Sequence, residues 1–201
     1  MELTPESALV LVDIQCDFLP GGALAVRRGD EVVAAANRLA DGFHAHGFQV
    51  VCSRDWHPAD HSSFQEQGGP WPAHCVQDTH GAEFADDLVI PEGAWVISKG
   101  TDPAQDAYSA FQGTDLEKRL REAGVRMLYI CGLATDYCVK HTVLEAIDAG
   151  FDVVLVADAC RGVNVHAADS AGAVEDMLRK GARIASSGAV QNALEAYSAT
   201  H

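Results

Sequence analysis

Ala8-Leu9-Val10-Leu11-Val12-Asp13 decides how the rest of the chain is read. The apolar residues run without alternation and end on an acid. A strand with one wet face alternates, whereas a continuous run fits a strand buried on both faces, as in a parallel sheet covered by helices. Working outward, further short β-like runs occupy 48–53, 95–98, 125–131, 151–157 and 183–185. Helical stretches separate them. Val32, Val33, Ala36, Leu39 and Phe43 recur at helical spacing, with Asp30 placed to cap them and Gly47 to end them. Thr114 and Glu117 have capping-box spacing for a helix ending near Gly124. Stretches 135–149 and 167–180 read as helices stopped by Gly150 and Gly181, and 190–197 as the last helix. This alternation predicts a three-layer α/β/α fold around a central, mostly parallel sheet of about six strands, with residues 1–201 as a single domain.

Composition removes several function classes. A formal charge of −15 argues against nucleic acid as a partner, because that needs a basic footprint, and against an anionic membrane surface. No apolar run approaches the ~18 residues of a membrane span. Met1-Glu2-Leu3-Thr4-Pro5-Glu6 lacks the basic start of a secretory leader, so the expected location is the cytoplasm. The six cysteines, Cys16, Cys52, Cys75, Cys131, Cys138 and Cys160, include no C-x-x-C pair and are expected to be reduced.

Open α/β sheets bind ligands outside the carboxyl ends of their strands. Asp13 follows the first strand, Asp55 the second and Lys99 the third. Gly132-Leu133-Ala134-Thr135-Asp136-Tyr137-Cys138 follows the fourth, and Asp158 the fifth. At a helix start, backbone N–H groups and the helix dipole favour a thiolate, which makes Cys138 the best nucleophile candidate of the six. A buried structural cysteine facing the sheet fits the same position. Asp13 is placed to take a thiol proton and return it to a leaving amine, with Lys99 as its cation. A turn-forming Asp and an exposed terminal Lys are the plain alternatives. The N–H groups of 134–138 offer an oxyanion site.

Arg54-Asp55-Trp56-His57-Pro58-Ala59-Asp60-His61 and Trp71-Pro72-Ala73-His74-Cys75 add a second chemistry. They bring Asp55, His57, His61 and His74 into the irregular stretch 55–94. Oxygen and nitrogen donors of this kind suit a borderline divalent metal, and three protein ligands with open positions make a catalytic pattern. A solvated His-rich loop is the alternative. Phe18, Trp71 and Tyr108 lie near these segments and fit either a flat aromatic pocket or plain core packing.

With these residues in view, the chain resembles the nicotinamidases of the isochorismatase-like cysteine hydrolase superfamily over nearly its whole length. The resemblance rests on Val12-Asp13-Ile14-Gln15-Cys16-Asp17-Phe18 with Pro20-Gly21-Gly22-Ala23-Leu24-Ala25-Val26, and on Asp55-Trp56-His57-Pro58 with His61-Ser62-Ser63-Phe64. Trp71-Pro72-Ala73-His74-Cys75-Val76, Lys99-Gly100, Tyr108-Ser109-Ala110-Phe111 and 132–139 complete it. It implies a catalytic triad of Asp13, Lys99 and Cys138, and metal ligands Asp55, His57 and His74. His61 stands at a position that ligates in some members and sits behind the ligands in others. It implies oxyanion donors at Ala134 and Cys138, and a cis peptide at Leu133–Ala134. It also implies a substrate pocket of Phe18, Trp71, Tyr108, Leu133 and Ala134. One divalent metal ion is implied, zinc ahead of iron or manganese. The implied reaction is hydrolysis of nicotinamide, with pyrazinamide as a related substrate, by a chain able to form a homo-oligomer. Ala110 stands where many members carry Gly, and the gap from Phe64 to Trp71 is short. Two other readings stay open: an amidase of the same superfamily acting on a carbamoyl or ureido substrate, and a metal-binding thiol redox sensor.

Overall fold

Strands Ser7–Val12 (β1), Gln49–Asp55 (β2), Trp95–Lys99 (β3), Met127–Leu133 (β4), Asp152–Arg161 (β5) and Arg183–Ala185 (β6) form one sheet in the computed structural model, which describes residues 3–199. Their spatial order is β3-β2-β1-β4-β5-β6, and every neighbouring pair is parallel. The sheet is thus parallel throughout the described residues rather than mostly so. The expected span 1–201 and the reading of the chain's start extend to residues 1, 2, 200 and 201, which lie outside the described residues. No helix among the described residues is long and apolar enough to cross a membrane.

The helices are Glu31–Ala45 (α1), Leu116–Glu122 (α2), Lys140–Asp148 (α3), Asp169–Lys180 (α4) and Ser187–Ser198 (α5). Right-handed crossovers put helices on opposite faces once the strand order reverses. Accordingly α1 packs with α5, and α3 with α4. Every residue of β1 is buried, as its unbroken apolar run requires of a central strand. α1 turns Val32, Ala36, Leu39 and Phe43 into the core, where each large side chain contributes roughly 1.5–3 kcal/mol of burial.

The order reverses between β1 and β4, the position where parallel α/β sheets open a crevice. Gly132 is obligatory beside it: its φ is +123°, and a Cβ there would lie 2.1 Å from the Val12 carbonyl oxygen.

Several local expectations change. Asp30 precedes α1 with helical φ and ψ and makes no side-chain cap. Thr114 and Glu117 do not form a capping box. The Thr114 hydroxyl donates to Ala110 O and accepts from Leu116 N–H, and Glu117 pairs with Arg121. The helix read from 135 begins with a π-helical turn, Thr135–Val139, closed by Val139 N–H to Ala134 O at 3.1 Å; α3 starts after it. Asp158 does not follow the fifth strand. β5 runs on through an irregular register to Arg161, and the Asp158 carboxylate accepts from Ser187 N–H and Oγ at 2.6 and 2.7 Å. It anchors α5 rather than the crevice.

Candidate active site

Strand register assembles the centre of the crevice. Asp55 pairs across β2 and β3 with Lys99, while β1 ends beside Ser53, where Asp13 follows. Asp13 and Lys99 are both fully buried. Asp13 Oδ1 accepts from Ser53 Oγ at 2.6 Å, and Oδ2 faces Lys99 Nζ at 2.9 Å. Lys99 Nζ also bonds the Asp55 carboxylate, donates to Ala107 O at 3.2 Å and reaches Cys138 Sγ at 3.5 Å. Oxygens of Asp13 and Asp55 and the sulfur of Cys138 lie within 4.8 Å of one another. Lys99 is therefore not the exposed terminal residue of the alternative reading.

The charges explain how this cluster holds protons. Burial alone would drive Lys99 toward its neutral amine. The carboxylates of Asp13 and Asp55 more than offset this and hold its pKa well above the usual value. Two carboxylates around one ammonium leave an excess negative charge. Burial raises Asp13 above the ordinary carboxylate value, Lys99 opposes that, and Asp55 adds to it. Asp13 is thus the cluster's ready proton acceptor. Burial likewise pushes the Cys138 thiol well up, against the pull of Lys99 and with Asp13 and Asp55 adding to it. The expected helix-start lowering of this thiol is outweighed by burial, and the resting group is S–H.

Next to this cluster, Asp55, His57 and His74 bring ligand atoms within 4.8 Å of one another, all buried. Both imidazoles are pre-oriented: His57 Nδ1 lies 3.2 Å from His74 O, and His74 Nδ1 lies 2.8 Å from Pro72 O. A carbonyl only accepts, so Nδ1 carries the proton and Nε2 turns its lone pair to the centre, the arrangement of metal-bound histidine. Burial, with His74 and His61 alongside, pushes His57 down to about 3, so it is neutral. Gly100 makes room, since a Cβ there would sit 2.7 Å from His57 Nε2. These donors fit a divalent cation. His61 is adjacent, its ring 4.3 Å from that of His57. Its Nδ1 pairs with Ser63 Oγ and its Nε2 with Gln105 O, so both nitrogens are engaged within the protein.

Phe18, Trp71, His74, Tyr108, Ala134 and Cys138 line one cavity, together with Asp55 and His57. Trp71 Nε1 donates to Tyr108 Oη at 3.0 Å. Leu133 stands apart: its side chain is in the core, and it contributes the cis peptide bond to Ala134. Sequence reasoning gave no role to Gln15 or Ser53. Gln15 is wholly buried and bonds the backbone of Asp55 and of Ala82. Ser53 is a buried hydroxyl ending the apolar run 50–52, and a small polar residue at the end of such a run was the available signal.

Fold and site together define a parallel α/β protein with a lysine–acid–thiol cluster and a metal-donor set sharing one pocket. The chain belongs to the isochorismatase family, whose domain model matches residues 7–188. It is 44% identical to a nicotinamidase of Escherichia coli (strain K12), over 90% of this chain and 94% of that protein. Among solved structures, it is similar to the pyrazinamidase of Pyrococcus horikoshii in complex with zinc, at TM-score 0.87 and 49% identity, covering 90% of this chain and 99% of that one. It is also similar to PnC1 from L. infantum in complex with nicotinate, at TM-score 0.87 and 34% identity, covering 94% and 97%.

Proposed function

We propose that this protein is a metal-dependent amidase that hydrolyses nicotinamide to nicotinate and ammonia, a step of pyridine nucleotide salvage. The observation that carries the reading is buried Lys99 Nζ, 2.9 Å from Asp13 and 3.5 Å from Cys138 Sγ, where Cys138 lines the same pocket as Asp55, His57 and His74. The match to a nicotinamidase and the nicotinate-bound relative support the choice of substrate.

In this reading Cys138 Sγ attacks the carboxamide carbon as its proton passes to Asp13. Lys99 steadies the carboxylate and lowers the cost of forming thiolate. N–H groups of Ala134 and Cys138 hold the oxyanion. Asp13 returns the proton to the leaving nitrogen and ammonia departs, leaving a thioester. Water, deprotonated by Asp13, adds to the thioester, and nicotinate and the free thiol are released. Phe18 and Trp71 flank the ring and fix it for attack. Asp55, His57 and His74 would hold a divalent cation, zinc by analogy with the zinc-bound relative, which would supply Lewis-acid anchoring of the substrate ring. The same reading takes the chain as one hydrolase unit in the cytoplasm, which its six unpaired cysteines suit.

The test is ammonia release from nicotinamide before and after chelation, with metal added back. Turnover should fall on chelation and return with zinc. Folded, metal-replete protein without turnover would overturn the substrate assignment.

A further inference from the structure

In a separate surface cleft, a second group of metal donors is drawn from other residues. Cys16, His80 and Asp86 offer a thiol sulfur, an imidazole nitrogen and a carboxylate oxygen, all within 4.8 Å of one another. None of them belongs to the Asp55–His57–His74 set. Backbone pairing holds the two segments in place. Gln15 and Phe84 form an antiparallel bridge, Cys16 N–H donates to Glu83 O at 2.9 Å, and Ala85 N–H donates to Ile14 O at 2.9 Å. The Cys16 thiol points along this ladder, donating to Phe84 O at 3.4 Å.

Two further features distinguish the group from an ordinary acidic surface. His80 Nδ1 is bonded by Glu83 Oε2 at 2.7 Å, and a carboxylate on one ring nitrogen is the usual backing of a histidine that ligates through the other. Asp86 has no lysine or arginine partner among the described residues. The neighbouring Asp17, by contrast, is taken up by the N–H groups of Ala23 and Cys75. Asp30 and Asp87 line the same cleft and add to a negative potential that draws in dications.

We propose that Cys16, His80 and Asp86 form a second site for a zinc-class divalent cation. A mixed sulfur, nitrogen and oxygen set with one open position for water matches that class of ion. On binding, Cys16 releases its thiol proton to solvent as the sulfur–metal bond forms, and His80, which Glu83 makes more basic, likewise gives up its second ring proton to solvent and ligates as the neutral ring. The ion would clamp 14–16 to 80–86, directly behind Gln15 and the backbone of Asp55 that Gln15 holds.

The test is a cobalt(II) titration of the full-length, metal-stripped protein, followed by near-ultraviolet thiolate-to-cobalt charge transfer. The first site offers only oxygen and nitrogen donors, so the band reports the second. Two equivalents are expected, one of them bringing the band. Cys16→Ser should remove the band and one equivalent, while amide hydrolysis persists. His80→Ala changes a side chain 70% exposed, so it should fold and lose the band. Glu83→Gln should weaken this equivalent by about 10- to 100-fold. Cys138→Ala should keep it. A single equivalent without the band, a second binding no tighter than millimolar, a band surviving Cys16→Ser, or one vanishing with Cys138→Ala would overturn the proposal.

Discussion

A single side-chain amide grips Asp55 from both sides of its backbone: Gln15 Nε2 donates to Asp55 O at 2.8 Å, and Asp55 N–H donates to Gln15 Oε1 at 2.8 Å. Nε2 also donates to Ala82 O at 2.9 Å. Replacing Gln15 with Leu strands buried backbone groups without partners, at roughly 1–3 kcal/mol each. We predict that Gln15→Leu lowers stability by about 3 kcal/mol or more in denaturant melts and loosens metal retention. An unchanged midpoint would mean that the clamp carries no weight.

Replacing Cys138, Asp13 or Lys99 in the buried cluster should have a distinct signature in each case. Cys138→Ala is expected to abolish ammonia release while metal content stays intact. Asp13→Asn takes away the proton acceptor and should reduce kcat by about 10²- to 10⁴-fold. Lys99→Met leaves Asp13 and Asp55 without their cation and should destabilise the fold by about 3–5 kcal/mol. Steady-state kinetics beside thermal melts would separate the three; a Lys99→Met protein as stable as the parent would contradict the electrostatic account.

Acid should unfold the metal-free protein earlier than its carboxylates alone would require. His57 is pushed from an ordinary 6.5 down to about 3 by burial. The unfolded chain therefore binds a proton that the folded chain refuses between these values. A depressed pKa contributes stability present above 6.5 and lost as pH falls toward 3, with a slope near 1.4 kcal/mol per pH unit for this one proton. Denaturation midpoints measured from pH 7 to 4 should fall in this sense, and His57→Asn should flatten the slope.

Trp71 and Tyr108 close the pocket on each other through one hydrogen bond of 3.0 Å. Tyr108→Phe removes it at about 0.5–1.5 kcal/mol. If the pair positions the substrate ring, KM should rise by roughly 2- to 10-fold with kcat nearly kept. A fall in kcat with KM unchanged would instead place Tyr108 in the chemical step.

The sheet and its helices were legible because the central strands β1 and β4 are buried on both faces. Ala8 to Val12 and 127–131 carry no charged residue to interrupt the run. The positions of Asp13, Asp55 and Lys99 followed, since a polar residue ending such a run lands on one rim. What sequence could not supply was contact across tens of residues. Nothing local tells Ser53 that Asp13 lies 2.6 Å away, or Gln15 that it will hold Asp55. Local propensity also misled at Thr114 and Asp30, whose surroundings offer other partners or helical backbone in place of a cap. For Cys138 the sequence left a thiolate at a helix start and a buried cysteine both open, and only the packed structure shows that burial sets its thiol.

Asp13, Asp55, Lys99 and Cys138 all stand where strands leave the sheet, or just beyond it. The turns that feed chain back into the strands, at Gly47, Gly124, Gly150 and Gly181, take left-handed or neighbouring positive φ at the other rim. Chemistry and return traffic are thus kept on opposite sides of one rigid layer. The return side is spare ground: a loop there can lengthen, or a passenger domain be grafted, while every reacting atom stays in register.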